Sequence, residues 1–258
     1  MQLFCIVDRY AEMLHNIRGG VKVGKHQLRI MHIMKNTTIY YAIIGDIKSS
    51  KEIDARYEAQ EKLRAILKSV NQLYQGDIAA NFIITLGDEF QGLLHDAEHL
   101  LGIVKYIQRK MYPIEIRFGI GIGEIFTAID QESALGADGP AYYAARNTII
   151  AIHNQEKKIK KQAADIQIGF YNKTCFEVEE INAMLSLIKV IEDSWSEKQR
   201  YTIWDRIENS GSQEMSAMRL NTSQSTIARR LADGKYIVYQ NAMSIIGEAL
   251  RRVKFNID

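Results

Sequence analysis

Three acids stand where the 258-residue chain is otherwise apolar. Asp46 closes the run TIYYAIIGDI (38–47), and Asp88 and Glu89 break NFIITLGDEFQGLL (81–94). Desolvating such an acid pair is unfavourable unless the turn faces solvent or a cation neutralises it. The pattern therefore reads either as a surface hairpin turn or as a cation site. Oxygen ligands of this kind suit Mg²⁺ or Mn²⁺, which one or two carboxylates hold together with substrate phosphates. The backbone carbonyl of Ile47 could add another oxygen. Ser49 and Ser50 follow at once: they either cap a helix or present hydroxyls and N–H groups to phosphate. Nucleotidyl transfer needs metal ions to orient a hydroxyl and positive groups to neutralise charge growing on phosphate. Asp46 and Asp88 can meet the first need and Arg146 the second.

The elements that must position these residues follow from periodicity. After the strand ending at Ile47, the Ser49…Glu52 spacing of a capping box opens a helix running to about Tyr74. Ala59, Leu63, Ile66, Leu67, Val70 and Leu73 fall on one of its faces. ANFIITL and FQGLLH read as two strands joined across Gly87-Asp88-Glu89. A helix from about Ala97 to Lys110 stops before Pro113, and IEIRFGIGIGEI reads as the next strand. Strand, helix, hairpin, helix, strand is the α+β, ferredoxin-like order, an antiparallel sheet backed by helices. The first strand and the hairpin are neighbours in such a sheet, which brings Asp46 close to Asp88. A helix from about Ala141 and a further strand at DIQIGF (165–170) follow, and then a mainly helical region. The expected division is an N-terminal extension (1–37), a sheet domain (38–172) and a helical domain (173–258).

A net charge of +2 is too mild to identify a partner, and two isolated cysteines, Cys5 and Cys175, support neither a disulfide scaffold nor a cysteine-rich zinc site. No stretch is long and apolar enough to span a membrane, and residues 1–37 lack a signal-peptide pattern, so a cytoplasmic location is expected. KKIKK (157–161) reads as a solvated helix face.

Near the C-terminus, GSQEMSAMRLNTSQSTIARRLADGKY (211–236) reads as two short helices about a turn at Leu220-Asn221-Thr222. Met215, Met218 and Leu220 are placed to face Ile227 and Leu231, with Ala217 at the crossing. Ser223, Gln224 and Thr226 could meet base edges or phosphates, and Arg229 and Arg230 the DNA backbone. The same helix pair could also serve packing alone. YIVYQ (236–240) could form one strand of a wing.

YAIIGDIKSS, TLGDEFQGLL, IRFGIGIGEI and YYAARNTI occur in the order found in class III nucleotidyl cyclases and, more distantly, diguanylate cyclases. In wording the chain more closely resembles the SatD family, which shares this layout and a C-terminal helix-turn-helix. The resemblance implies that Asp46, Ile47 and Asp88 hold the metal and that Glu89 supports metal or hydroxyl activation. It further implies that Arg146 stabilises the transferring phosphate, that Arg117 and Gly121 belong to the nucleotide-binding strand, and that Tyr142 lies at the nucleotide site. A homodimer is implied as well. Tyr142 stands where the cyclases carry an asparagine, so the resemblance reaches metal–nucleotide binding more firmly than cyclisation. Three functions stay open: a Mg²⁺- or Mn²⁺-dependent cyclase or transferase acting on NTP, an inactive nucleotide sensor controlling a DNA-binding tail, and a scaffold.

Overall fold

Alternation along the first strand sorts two cores. β1 (Tyr40–Ile47) sends Tyr41, Ile43 and Ile47 to one face of a sheet and Ala42 and Ile44 to the other. The computed structural model describes residues 38–50, 53, 55–159 and 164–253; the expectation for residues 1–37 lies outside them. β2 (Ile78–Ile84), β3 (Glu89–Leu94), β4 (Ile116–Gly123) and β5 (Ile166–Phe170) complete a five-stranded sheet of order β2-β3-β1-β4-β5. β1 lies between β3 and β4 and is antiparallel to both. β5 runs parallel to β4, so the sheet is mixed and not wholly antiparallel. The parallel pair follows from the long crossover between these strands, which contains helix α3 (Pro140–Ile159).

Helices α1 (Arg56–Leu73) and α2 (Leu100–Met111) were expected from the spacing of their apolar residues, and their buried faces carry Leu63, Leu67 and Val70, and Ile103, Val104 and Ile107. These join Tyr41, Phe90 and Phe118 in the larger core, which continues into α4 (Phe176–Asp193). Beyond it lie α5 (Glu197–Glu208), α6 (Gln213–Arg219), α7 (Gln224–Asp233) and α8 (Tyr236–Val253). The architecture is α+β, with a mainly helical C-terminal region.

Three local expectations are corrected. α1 starts at Arg56, not at Ser49, whose φ is +49°; Glu52, the other half of the expected capping box, lies outside the described residues. YIVYQ is not a wing strand but the first turns of α8, because Tyr236, Tyr239, Ile246, Leu250 and Val253 recur at helical spacing and bury one face. Met215 and Met218 are exposed, and it is Ala217 that is buried with Ile227 and Leu231.

Both outer strands are bonded by asparagine. Asn71 of α1 donates to the carbonyl of Phe82 in β2 (3.0 Å) and accepts from its N–H (2.8 Å). Asn182 of α4 does the same for Ile168 in β5, at 2.8 Å each way.

The packing of α3 rests on the glycines of β4. A methyl group at Gly121 would lie 1.8 Å from the Ala141 carbonyl oxygen and 2.4 Å from the Ala145 nitrogen; at Gly119 it would lie 2.4 Å from the Ala145 oxygen. These obstacles are backbone atoms and cannot rotate away. Gly121→Ala is therefore expected to lower stability by about 2–3 kcal/mol, the upper part of the usual overpacking range, as measured by urea denaturation. An unchanged midpoint would contradict this packing.

Candidate functional site

Sheet register brings the acids together. Asp46 stands opposite Glu89 of β3 on one side and Arg117 of β4 on the other. The direct cross-strand partner of Asp46 is thus Glu89, while Asp88 sits at the hairpin tip. That tip is held from α1: Gln60 donates to the Gly87 carbonyl (2.7 Å) and Arg56 lies 3.8 Å from Asp88. Gly87 takes a φ of +67°, which lets the chain turn so tightly.

α3 lays a second set of charges over these strands. Tyr142, Arg146, Ile149, His153 and Glu156 recur at intervals of four and three and so share one helix face. Arg146 grips Glu89 with both terminal nitrogens, one of them at 2.8 Å. His153 Nε2 lies 3.1 Å from Asp46 Oδ2, which also accepts from Arg117 at 2.9 Å. Arg117 in turn donates to Glu156 through Nε at 2.7 Å. Burial pushes the Asp46 carboxyl above its ordinary value; Arg117 pulls it down, Asp88 pushes it up again and His153 opposes that. The Asp88 charge is therefore felt at Asp46.

The ion pairs continue inward from Glu156. Lys48 lies 3.2 Å from Glu156 and 3.6 Å from Glu115, and it bonds Asp165 at the start of β5. Asp165 lies 3.5 Å from Lys189 of α4, which also pairs with Asp193. A continuous run of charges thus joins Asp46 to the helix that opens the C-terminal region. Burial pushes the Asp165 carboxyl up while Lys48 and Lys189 pull it down; Lys48 is raised by its acids against its own desolvation.

The other expected residues are placed as follows. Ser49 is exposed and Ser50 half-buried, both ahead of α1 and not on its first turn. The Ile47 side chain belongs to the larger core. The free face of Gly121 is occupied by the α3 backbone. Tyr142 is buried in the core between α3 and the sheet, its hydroxyl has no hydrogen-bond partner among the described residues, and burial raises its pKa. Lys48, His153 and Glu156 were missed from sequence, although Lys48 follows Asp46 at strand period, and His153 and Glu156 follow Arg146 at seven and ten residues on one helix.

In the helix pair, Ser223 caps α7 by accepting from the Thr226 N–H (3.2 Å). Gln224 pairs with Gln213 (2.8 Å), Arg230 turns inward to Thr202 (3.4 Å), and Arg229 is exposed. Arg219 clasps Asp205 of α5 at 2.7 and 2.8 Å. The Trp195 indole donates to the Gly234 carbonyl between α7 and α8 (2.7 Å).

The sequence matches the SatD family over residues 40–246. The chain belongs to the SatD family. No curated protein matches it. Among solved structures, this SatD-family chain is similar to the guanylate cyclase domain of RhGC from Catenaria anguillulae in complex with GTP. Identity is 14%, the match covers 49% of this chain and 84% of that one, and the TM-score is 0.36. It is also similar to the adenylyl cyclase CyaB from P. aeruginosa (17% identity, 53% and 89% coverage, TM-score 0.34) and to a regulator of polyketide synthase expression from Bifidobacterium adolescentis (12%, 87% and 87%, 0.27). Likenesses this distant carry no functional weight. No described helix is long and apolar enough to cross a membrane.

Among the described residues no group of three or more His, Cys, Asp or Glu side chains is gathered as a ready-made metal cage. Asp46 and Asp88 are the residues that could hold a hard cation of the kind that takes one or two carboxylates and draws its remaining oxygens from elsewhere.

Lys48→Met is expected to lower stability by about 3 kcal/mol at neutral pH, because it strips a partner from buried carboxylates. Without Lys48 the Asp165 carboxyl rises further, so the folded state holds its proton more tightly than the unfolded state. Stability then increases as pH falls, and the gap to the parent protein narrows as the pH is lowered from neutrality. Urea denaturation at successively lower pH checks it; a constant gap would place the loss elsewhere.

Proposed function

We propose that the chain binds a nucleoside triphosphate with Mg²⁺ or Mn²⁺ where β1, the β2–β3 hairpin and α3 meet, and that the α6–α7 pair contacts DNA. One observation carries the reading. Asp46 lies opposite Glu89 and within the field of Asp88, while Arg117, Arg146 and His153 face the same carboxylates. Acids for a cation and cations for phosphate share one end of the central strands. Asp46, Asp88 and the Ile47 carbonyl would hold the metal, which when bound would supply Lewis-acid polarisation and orient the reacting oxygens. In the free protein Glu89 occupies Arg146; a cation near Glu89 would weaken that grip and release the guanidinium toward phosphate. Ser49 and Ser50 sit in the β1–α1 connection as candidate hydroxyl donors, and Gly121 serves through the close seating of α3.

Between turnover and sensing, Tyr142 favours sensing. Its ring is buried between helix and sheet, so it supplies nothing to a bound substrate in place of the cyclase asparagine. The charge run from Asp46 to Lys189 gives a sensor a physical route toward the helical region. Self-association as a homodimer belongs to the same proposal.

Titration of the protein with Mn²⁺–ATP and Mn²⁺–GTP, with mass-spectrometric analysis of the products, tests the site. Asp46→Asn with Asp88→Asn is expected to weaken binding at least about a hundredfold, since two ligand charges are lost. Unchanged affinity in the double variant would sink the proposal. A new product absent from the variant would establish an enzyme; binding without product fits the sensor. For the DNA arm, Arg229→Glu is expected to weaken binding to random duplex and to flatten its salt dependence. The inward-facing Arg230 should matter through folding instead.

A further inference from the structure

The helical region carries a second concave site, far along the chain from Asp46. An open cleft of ≈ 500 Å³ is walled by α5, α6, α7 and α8, within the size range of small-ligand pockets. Its apolar lining includes Ala228, Leu231, Ala232 and Val238, and its charged groups are Arg206 and Lys235. No described residue lining it is acidic. Two cations beside an apolar wall, with no carboxylate to neutralise them within the cleft, favour a ligand of opposite charge.

Arg206 adds a specific hydrogen-bonding demand. Its Nη1 donates to the carbonyls of Gly211 (2.6 Å) and Ser212 (3.3 Å), which fixes the guanidinium at the α5–α6 junction. Its Nε is buried and has no acceptor among the described residues. A carboxylate or sulfonate oxygen in the cleft would meet the Arg206 guanidinium as a charge-assisted acceptor.

We propose that this cleft binds a small organic anion, its apolar body against Leu231 and Val238 and its charged end at Arg206 and Lys235. The site is separate from the nucleotide proposal and does not rest on it. Because the walls come from four helices, an occupied cleft would tie α7 to α5, α6 and α8.

The probe is 1-anilinonaphthalene-8-sulfonate, with neutral N-phenyl-1-naphthylamine as its uncharged counterpart. Methyl-labelled parent protein is titrated with each and followed by NMR. Saturable shifts at Ala228, Leu231, Ala232 and Val238 with the sulfonate, at one probe per chain, are expected. The neutral probe should bind at least about fivefold more weakly, a difference in line with one lost charge-assisted contact. Ala232→Trp, at an exposed position, fills the cleft and should weaken sulfonate binding about tenfold or more with an unchanged melting curve. Lys235→Gln should weaken the sulfonate and leave the neutral probe unaffected. The absence of saturable shifts at these methyls in the parent protein overturns the site. Equal affinity for both probes, or full binding by a folded Ala232→Trp variant, overturns the assignment to an anion in this cleft.

Discussion

The contact on which the candidate site depends is main chain against main chain. With hydrogen atoms as the only side chains at Gly119 and Gly121, α3 lies directly on β4. A larger residue would hold the helix off the sheet, and the arginine, histidine and glutamate it carries would no longer meet the carboxylates of β1 and β3. The glycines act through the approach they permit. Residues without functional atoms thereby set the distances between those that have them.

Once α3 is seated, electrostatics decides the rest. Asp46, Glu89, Glu156 and Asp165 are each brought out of water to a different degree, and each meets at least one cation. Satisfying buried charges in pairs does not by itself add much stability, but leaving one unpaired is strongly unfavourable. The network therefore behaves as a constraint: altering one member alters the solvation of the next. That is the physical content of a link from the end of β1 to Lys189, and it involves Lys48 and Asp165 as much as the acids at the visible end.

Much of this was legible in the sequence, and the gaps have physical causes. That the first strand would neighbour the hairpin followed from the order of the elements, so the meeting of Asp46 with the Asp88-Glu89 turn could be foreseen. Which acid would stand directly opposite Asp46 depended on register, and a one-residue difference selects Glu89. Arg146 was identifiable, yet its helix face also contained His153 and Glu156, which only a full projection of α3 over three turns would expose. Lys48 resembled any polar residue after a strand; that it is ringed by Glu115, Glu156 and Asp165 is a long-range fact. YIVYQ has strand composition, and burial along α8 overrode that local preference.

The asparagines at the two outer strands bear on whether another chain can extend the sheet. An exposed strand edge is a template on which another chain can lengthen the sheet. Here Asn71 fills both backbone bonding positions of Phe82, and Asn182 fills both of Ile168. Each amide imitates the next peptide unit and terminates the ladder at that point. Strand addition is thereby opposed at both ends, which protects a five-stranded sheet from open-ended growth.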